Sequence, residues 1–348
     1  MKTFKSISIF IAAFALVVVF FELFLSLCGI LQPIVRIDPN NGERYRPDLT
    51  CSSLFVSEGF GLAKTNSAGW FGHSFKDLGS DDISVAVIGN SFVASRQVFY
   101  RQNFLSLSEK KTNKILAYKG IPKLVSFFNF GKEDLPVNEL LYLKDDLDKL
   151  NHPDYFLVLL NEGTFNVSKY RYVAKYIIDS GKIKVDSSFK KQAFVKNFSK
   201  FEFFTQSSVL FLMHRVKSHL PEIWEIFFDK FYIPSKKTPE NEEPEITTKL
   251  EDDNKRFVAE LSKDKRVIFL LNVNPTLNKE LLSIIGNSYY INIQPSLLDM
   301  KKRGVDPNYW EIPDKVGHFN LAGHEMISNE ITREMLTILL ENKHNNKH

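Results

Sequence analysis

Four residues that could take part in a chemical reaction lie just after predicted strands or just before a predicted helix. A serine hydroxyl is a weak nucleophile, and it attacks a carbonyl carbon only when a base takes its proton. A neutral imidazole can do this near pH 7, so a serine and a histidine brought together would form a reactive pair. A glycine lets the backbone approach a substrate closely. The four residues are Ser91, Gly131, Asn161 and His318.

A carboxylate behind the imidazole would complete a catalytic triad, because it fixes the ring tautomer and stabilises the imidazolium. Asp314 lies four residues before His318, and we expect it to supply this carboxylate if a bulge in the loop brings it within reach. Otherwise Ser91 and His318 act as a dyad with a substitute acceptor.

Each of these residues also has an ordinary structural interpretation when it is taken alone. Ser91 fits the cap of the helix after the first strand, and Asn161 fits a turn. His318 fits a loop histidine. His324 falls inside the start of the C-terminal helix, where we expect a structural role.

The elements that would position these residues alternate between apolar runs and helical stretches. Strands that alternate with helices predict a parallel sheet covered on both faces, a three-layer α/β/α sandwich of flavodoxin-like type. In such sheets the ligand site lies beyond the carboxyl ends of the strands, where the serine, glycine and asparagine converge. The predicted strands are 83–88, 124–130, 155–160, 267–272 and 289–293, and the clearest helical stretches are 136–150, 248–262 and 321–341.

Three regions follow from this pattern. Residues 1–36 form an N-terminal transmembrane anchor, 37–82 an irregular lead-in rich in Pro, Gly, Asn and Ser, and 83–342 the α/β domain. An insertion at about 166–247 interrupts the domain with aromatic-rich helical stretches, and its last part is a polar, charged loop.

The N-terminal segment is long and apolar enough to cross a bilayer. The 19 residues 7–25 carry a single charge, Glu22, and no small residues that would mark a cleavage site follow it. Lys2 and Lys5 precede the segment, and so short a basic tail favours retention in the cytoplasm. The sequence therefore predicts a single-pass anchor in a bacterial inner membrane with the large domain in the periplasm.

The composition of the chain argues against several other kinds of function and site. The net charge of +4 over 348 residues, with no basic stripe interleaved with aromatics, argues against nucleic-acid binding. The two cysteines, Cys28 and Cys51, fall in different environments and lack metal-ligand spacing, so neither a disulfide nor a zinc site is expected. We expect no metal or organic cofactor.

The order of the motifs resembles that of the SGNH (GDSL-like) hydrolases, membrane-anchored type, over about residues 60–335. VAVIGNSF resembles the first block, FFNFG the second, LVLLNEG the third, and the His-x-Asn-x-x-Gly-His pattern of 318–324 the fourth. The Asn-Ser-x-Gly segment at 66–69 resembles a feature of the anchored members. The resemblance implies an oxyanion hole made by the backbone N–H groups of Ser91 and Gly131 and the amide of Asn161.

Two positions depart from the family's pattern. Asn90 stands where the family usually has an aspartate, a residue that is normally structural there. Lys315 stands where the family's carboxylate is expected, three residues before the histidine, which moves the candidate to Asp314.

The sequence therefore predicts a serine esterase or O-acyltransferase that forms an acyl-serine intermediate on lipid or cell-envelope glycan esters. The alternative is a catalytically inactive relative that binds glycan or scaffolds an envelope complex. Ester substrate and membrane are the expected partners, and the sequence does not determine the oligomeric state.

Overall fold

The structure is a computed structural model, and it describes residues 2–27, 35–38, 42–54, 58–75, 78–79, 81–166, 173–186, 188, 207–209, 250–312 and 314–345. Most of the predicted insertion at 166–247 lies outside the described residues. The chain divides into two compact units. One comprises residues 1–34 and 196–248, and the other comprises residues 35–195 and 249–348.

Strands and helices are numbered here in chain order. The strands are β1 Val35–Asp38, β2 Gly42–Tyr45, β3 Thr50–Leu54, β4 Phe60–Lys64, β5 Ile83–Gly89, β6 Val125–Gly131, β7 Tyr155–Asn161, β8 Lys175–Asp179, β9 Lys182–Asp186, β10 Val267–Asn272, β11 Tyr289–Asn292, β12 Tyr309–Trp310 and β13 Lys315–Val316. The helices are α1 Lys2–Leu27, α2 Ser91–Ala94, α3 Phe104–Tyr118, α4 Val137–Asn151, α5 Asp252–Leu261, α6 Pro275–Ile285, α7 Gln294–Lys302 and α8 Leu321–Asn345.

A five-stranded parallel sheet forms the centre of the larger unit, in the order β11-β10-β7-β5-β6. Counted along the chain, this is the 2-1-3-4-5 order of flavodoxin-like sheets. The predicted parallel α/β sheet is confirmed, and its five predicted strands are all present. The carboxyl ends of β5, β6 and β7 therefore meet at one edge.

Both faces of the sheet are buried, which explains why its strands read as continuous apolar runs rather than alternating ones. In β5, Val85 and Val87 belong to the core on the α3–α8 side. Ala86 and Ile88 point to the other side, where α4 covers the sheet and contacts α5. The result is the predicted three-layer sandwich.

The lead-in is more regular than the sequence predicts. It folds into two antiparallel hairpins, β1–β2 and β3–β4, and a turn after β4 in which the Asn66 side chain accepts hydrogen bonds from the Ala68 and Trp70 N–H groups. These strands have four or five residues, and turn-forming residues separate them. Such short strands leave no clear alternation in the sequence, so the region reads as irregular.

The smaller unit contains the apolar helix α1. Its stretch Ser6–Leu25 is long and apolar enough to cross a membrane, by length and composition. Most of its described side chains are exposed, whereas Leu25 is buried. The Glu22 carboxylate accepts hydrogen bonds from the Ser207 hydroxyl at 2.7 Å and from the Ser208 and Val209 N–H groups at 2.7 and 3.1 Å. Part of the insertion therefore packs on the end of this helix.

Candidate active site

Ser91 is the first residue of α2, directly after the carboxyl end of β5. The helix is capped not by Ser91 but by Asn90, whose Oδ1 accepts a hydrogen bond from the Phe92 N–H at 3.2 Å. The helix ends after one turn because Ser95 adopts a left-handed conformation, with φ of 51°. The Ser91 hydroxyl therefore does not cap the helix, and it lies at the edge of the sheet.

The predicted pair of Ser91 and His318 lies in hydrogen-bond contact. His318 Nε2 is 2.7 Å from Ser91 Oγ, although 227 residues separate them in the chain. The ring of Phe92 packs against the imidazole at a centroid distance of 4.7 Å. This is the geometry in which a histidine takes the proton of a serine nucleophile.

His318 is held by the loop between β13 and α8. The Trp310 indole N–H donates to the His318 carbonyl oxygen at 3.0 Å, and the neighbouring Phe319 side chain is buried in the core. Asn320 caps the start of α8 by accepting from the Gly323 N–H at 3.0 Å. The histidine is therefore fixed on both sides along the chain.

The carboxylate behind the imidazole belongs to Glu58, at the start of the β4 side of the lead-in hairpin. Both of its oxygens lie 2.8 Å from His318 Nδ1, and Oε1 also accepts the His318 backbone N–H at 3.2 Å. Its side chain is 12% exposed. With Nδ1 hydrogen-bonded to a carboxylate, the imidazole presents Nε2 as its acceptor to Ser91.

Burial alone would disfavour the charge on Glu58. The hydrogen bond and charge of the His318 ring, the His318 backbone N–H and the Gln97 side chain outweigh burial and lower the Glu58 pKa below its usual value. Glu58 is therefore ionised at neutral pH.

Glycines allow the lead-in to approach this closely. A Cβ on Gly317 would lie 2.3 Å from Glu58 Oε1, and one on Gly61 would lie 2.1 Å from the Arg96 carbonyl oxygen. A Cβ on Gly59 would fall 2.5 Å from the Trp310 ring. A Cβ at any of these positions would force its neighbours to shift, so each glycine permits a close contact around Glu58 and His318.

The structure places Asp314 away from the imidazole, which corrects the expectation that it supplies the acid. It lies exposed at the turn between β12 and β13, with φ of 53°, and its Oδ1 accepts a hydrogen bond from the Tyr309 hydroxyl at 2.8 Å. His318 Nδ1 is occupied by Glu58 instead. The short hairpin carries the Asp314 side chain outward rather than back toward the ring.

Gly131 also differs from the role that the resemblance implies. Its N–H donates to Asn129 Oδ1 at 2.8 Å, so it is not available to an oxyanion. A Cβ at Gly131 would lie 2.1 Å from the Ala94 backbone nitrogen. This glycine permits close packing of β6 against α2 rather than a close approach to substrate.

The other two groups expected to donate to an oxyanion are the Ser91 N–H and the Asn161 amide, and both fit that role. Among the described residues, the Ser91 N–H has no hydrogen-bond acceptor, as expected for the first residue of a helix. The Asn161 amide uses Oδ1 to accept from Asn90 and from both the N–H and the hydroxyl of Thr164, in a capping box. Its Nδ2 is then the group left to donate elsewhere.

His324 is a core residue, as its position in the sequence predicts. It is 2% exposed, its Nδ1 accepts the Phe104 N–H at 3.2 Å, and its ring lies near those of Phe104 and Phe319. Burial lowers its pKa to about 3, so it stays neutral. Its contribution is to join α8 to the start of α3.

Among the described residues, no group of three or more His, Cys, Asp or Glu side chains is arranged to hold a metal ion. No protein-family model matches the sequence, and no curated protein matches it.

Solved structures do show similarity. A lipolytic protein from Desulfitobacterium hafniense is 8% identical, with 72% of this chain and 99% of that chain covered and a TM-score of 0.33. A lipase/acylhydrolase from Enterococcus faecalis is 13% identical, with 73% and 95% covered and a TM-score of 0.35. A lipolytic protein from Veillonella parvula is 11% identical, with 71% of this chain and 95% of that chain covered and a TM-score of 0.32. The first and third are described as members of the G-D-S-L family. Similarity at this level carries no activity over to this chain.

Proposed function

We propose that this protein is a serine esterase or O-acyltransferase that works through an acyl-serine intermediate. The observation that carries the proposal is the continuous hydrogen-bonded chain from Ser91 Oγ to His318 Nε2 and from His318 Nδ1 to Glu58. Three side chains from distant parts of the sequence meet in the order that nucleophilic acyl transfer needs. The proposal does not depend on the distant similarity to lipolytic proteins of known structure.

The proposed reaction begins when His318 Nε2 takes the proton of Ser91 Oγ as the oxygen attacks the ester carbonyl carbon. The carbonyl oxygen becomes an oxyanion, which the Ser91 N–H and Asn161 Nδ2 stabilise. As the tetrahedral intermediate collapses, the bond to the leaving alkoxide breaks and His318 returns the proton to it. Glu58 stays ionised and stabilises the imidazolium in between.

The acyl group then leaves Ser91 by the reverse sequence. His318 removes a proton from an acceptor hydroxyl, the acceptor oxygen attacks the acyl carbon, and Ser91 regains its proton. Water as acceptor gives hydrolysis, and a sugar hydroxyl gives O-acyl transfer, so one site serves both reactions. We propose lipid or cell-envelope glycan esters as substrates, since helix α1 would hold the enzyme at the outer face of the inner membrane with its α/β domain in the periplasm.

A fluorophosphonate probe tests the proposal, because it phosphonylates an activated serine hydroxyl. We expect peptide mass spectrometry of the labelled full chain to place the adduct on Ser91, and labelling to vanish in Ser91→Ala and His318→Ala. Ser95→Ala is the matched control, because its hydroxyl sits in the same turn but donates to the Phe92 carbonyl oxygen. A folded chain that does not react would favour the inactive, glycan-binding alternative.

A further inference from the structure

Asn90 and Asn161 form a buried pair beside Ser91. Asn90 is 8% exposed and Asn161 is 5% exposed. The Asn90 Oδ1 accepts the Phe92 N–H, which fixes which way its amide points, and its Nδ2 donates to Asn161 Oδ1 at 2.9 Å. One side chain thus links the cap of the nucleophile's helix to the end of β7.

We infer that Asn90 is a positioning residue, which holds the Asn161 amide with its nitrogen toward the oxyanion. The inference rests on the proposed function, since an oxyanion forms only if Ser91 attacks a substrate. Asn161 Oδ1 receives three hydrogen bonds, from Asn90 Nδ2 and from the Thr164 N–H and hydroxyl. A flipped amide would set its NH₂ group against two of these as donor facing donor, so Nδ2 is forced to the opposite side.

An aspartate at position 90 would fail in this role while ionised. It would still cap α2 through the Phe92 N–H, but it has no proton to donate to Asn161 Oδ1. Two oxygens would then face each other at the present 2.9 Å contact. Asn161 would have to tilt away or flip, and either movement takes the Nδ2 donor from the oxyanion. The asparagine that departs from the family's pattern is therefore matched to this particular network.

The test compares the fluorophosphonate reaction of the full wild-type chain with that of Asn90→Asp. We expect the maximal labelling rate at about pH 8 to fall about a hundredfold to a thousandfold with little change in the probe's apparent affinity, because loss of an oxyanion donor slows the chemical step. As the pH falls, the buried carboxyl takes up a proton and becomes a donor, so the rate relative to wild type should rise. Because the rate is expressed relative to wild type at each pH, any pH dependence that the two chains share cancels.

Two further variants separate positioning from stability. Asn103→Asp makes the same change at another buried N-cap, which accepts the Ser106 N–H at 2.8 Å, and it should label at the wild-type rate. Asn90→Ser keeps a capping oxygen but has no amide, and its rate loss should be independent of pH. Thermal unfolding of each chain checks that it is folded.

The outcomes are distinct. If the wild type is labelled at Ser91 but Asn90→Asp reacts within twofold of it at about pH 8, or its relative rate does not change with pH, the inference about Asn90 is overturned and the proposed function stands. If the folded wild type is not labelled at all, the proposed function fails, and the positioning role fails with it.

Discussion

Glu58 stands 260 residues before the histidine that it contacts, and it is the residue on which the site's electrostatics depend. Its carboxylate is bound by the His318 ring, the His318 backbone N–H and Gln97, and it is largely shielded from water. The folded chain therefore favours the ionised form of Glu58 over the protonated one.

This preference predicts a pH-dependent contribution to stability. Because the Glu58 pKa is lowered in the folded state, its stabilisation is fully present above the unfolded value of about 4.3 and is lost as the pH falls through the folded pKa. Glu58→Gln resembles the protonated acid. The melting temperatures of wild type and Glu58→Gln should therefore differ near neutral pH and converge in acid. Asp314→Asn, at an exposed carboxylate, is the control, and a difference that stays constant down to about pH 3 would contradict the linkage.

At this scale the sequence predicts some residues and not others, for a physical reason. Ser91, Asn161 and His318 follow strands or open a helix, so the order of elements brings them to one edge. Glu58 lies in a region without clear periodicity, and only the packing of a hairpin brings it to the site. In the sequence, the only indications of its position are two glycines that no turn requires, Gly61 and Gly317. The structure explains both by close contacts around Glu58.

At the scale of elements, the β3–β4 hairpin positions Glu58, the acid of the proposed triad. Gly61 packs against the backbone of the segment that follows α2, and Glu58 precedes it by three residues. The seating of the hairpin should therefore control the distance from Glu58 to His318.

Gly61→Ala tests this coupling. Its Cβ would lie 2.1 Å from the Arg96 carbonyl oxygen, so the hairpin must shift, at a cost of about 1–3 kcal/mol of unfolding free energy. We expect fluorophosphonate labelling of Ser91 to slow at least about tenfold, because displacement of Glu58 releases the imidazole. Leu62→Ala, an exposed neighbour in the same strand, should leave the rate unchanged. Equal rates in both variants would show that the hairpin does not control the site.

The strands of the sheet could be predicted from the sequence because they are buried on both faces and therefore consist of long apolar runs. The lead-in hairpins could not be predicted, because strands of four or five residues are too short to show a clear apolar pattern. The five strands predicted from those runs agree with the observed ones to within one residue at every end.

At the scale of the whole molecule, the triad lies entirely within the unit of residues 35–195 and 249–348, whereas the apolar helix belongs to the other unit. Catalysis and anchoring should therefore separate. The full chain should stay with membranes after a high-salt wash, and a chain without residues 1–34 should be released from them with Ser91 still reactive.

Protease added outside spheroplasts should digest the α/β domain. Survival of that domain would contradict the proposed orientation, and a full chain recovered in the soluble fraction would contradict the anchor.

The most direct measurement of the central claim, a triad of Ser91, His318 and Glu58, compares the fluorophosphonate rates of Glu58→Gln and Asp314→Asn with that of wild type. Loss of the acid leaves the imidazole in the wrong tautomer, which in serine proteases slows turnover by up to about ten-thousandfold. We predict that Glu58→Gln slows labelling by at least about a hundredfold while it remains folded. Asp314→Asn changes only a side chain that contacts Tyr309, so this variant should react like wild type. Wild-type reactivity in Glu58→Gln, or a comparable loss in Asp314→Asn, would contradict the account.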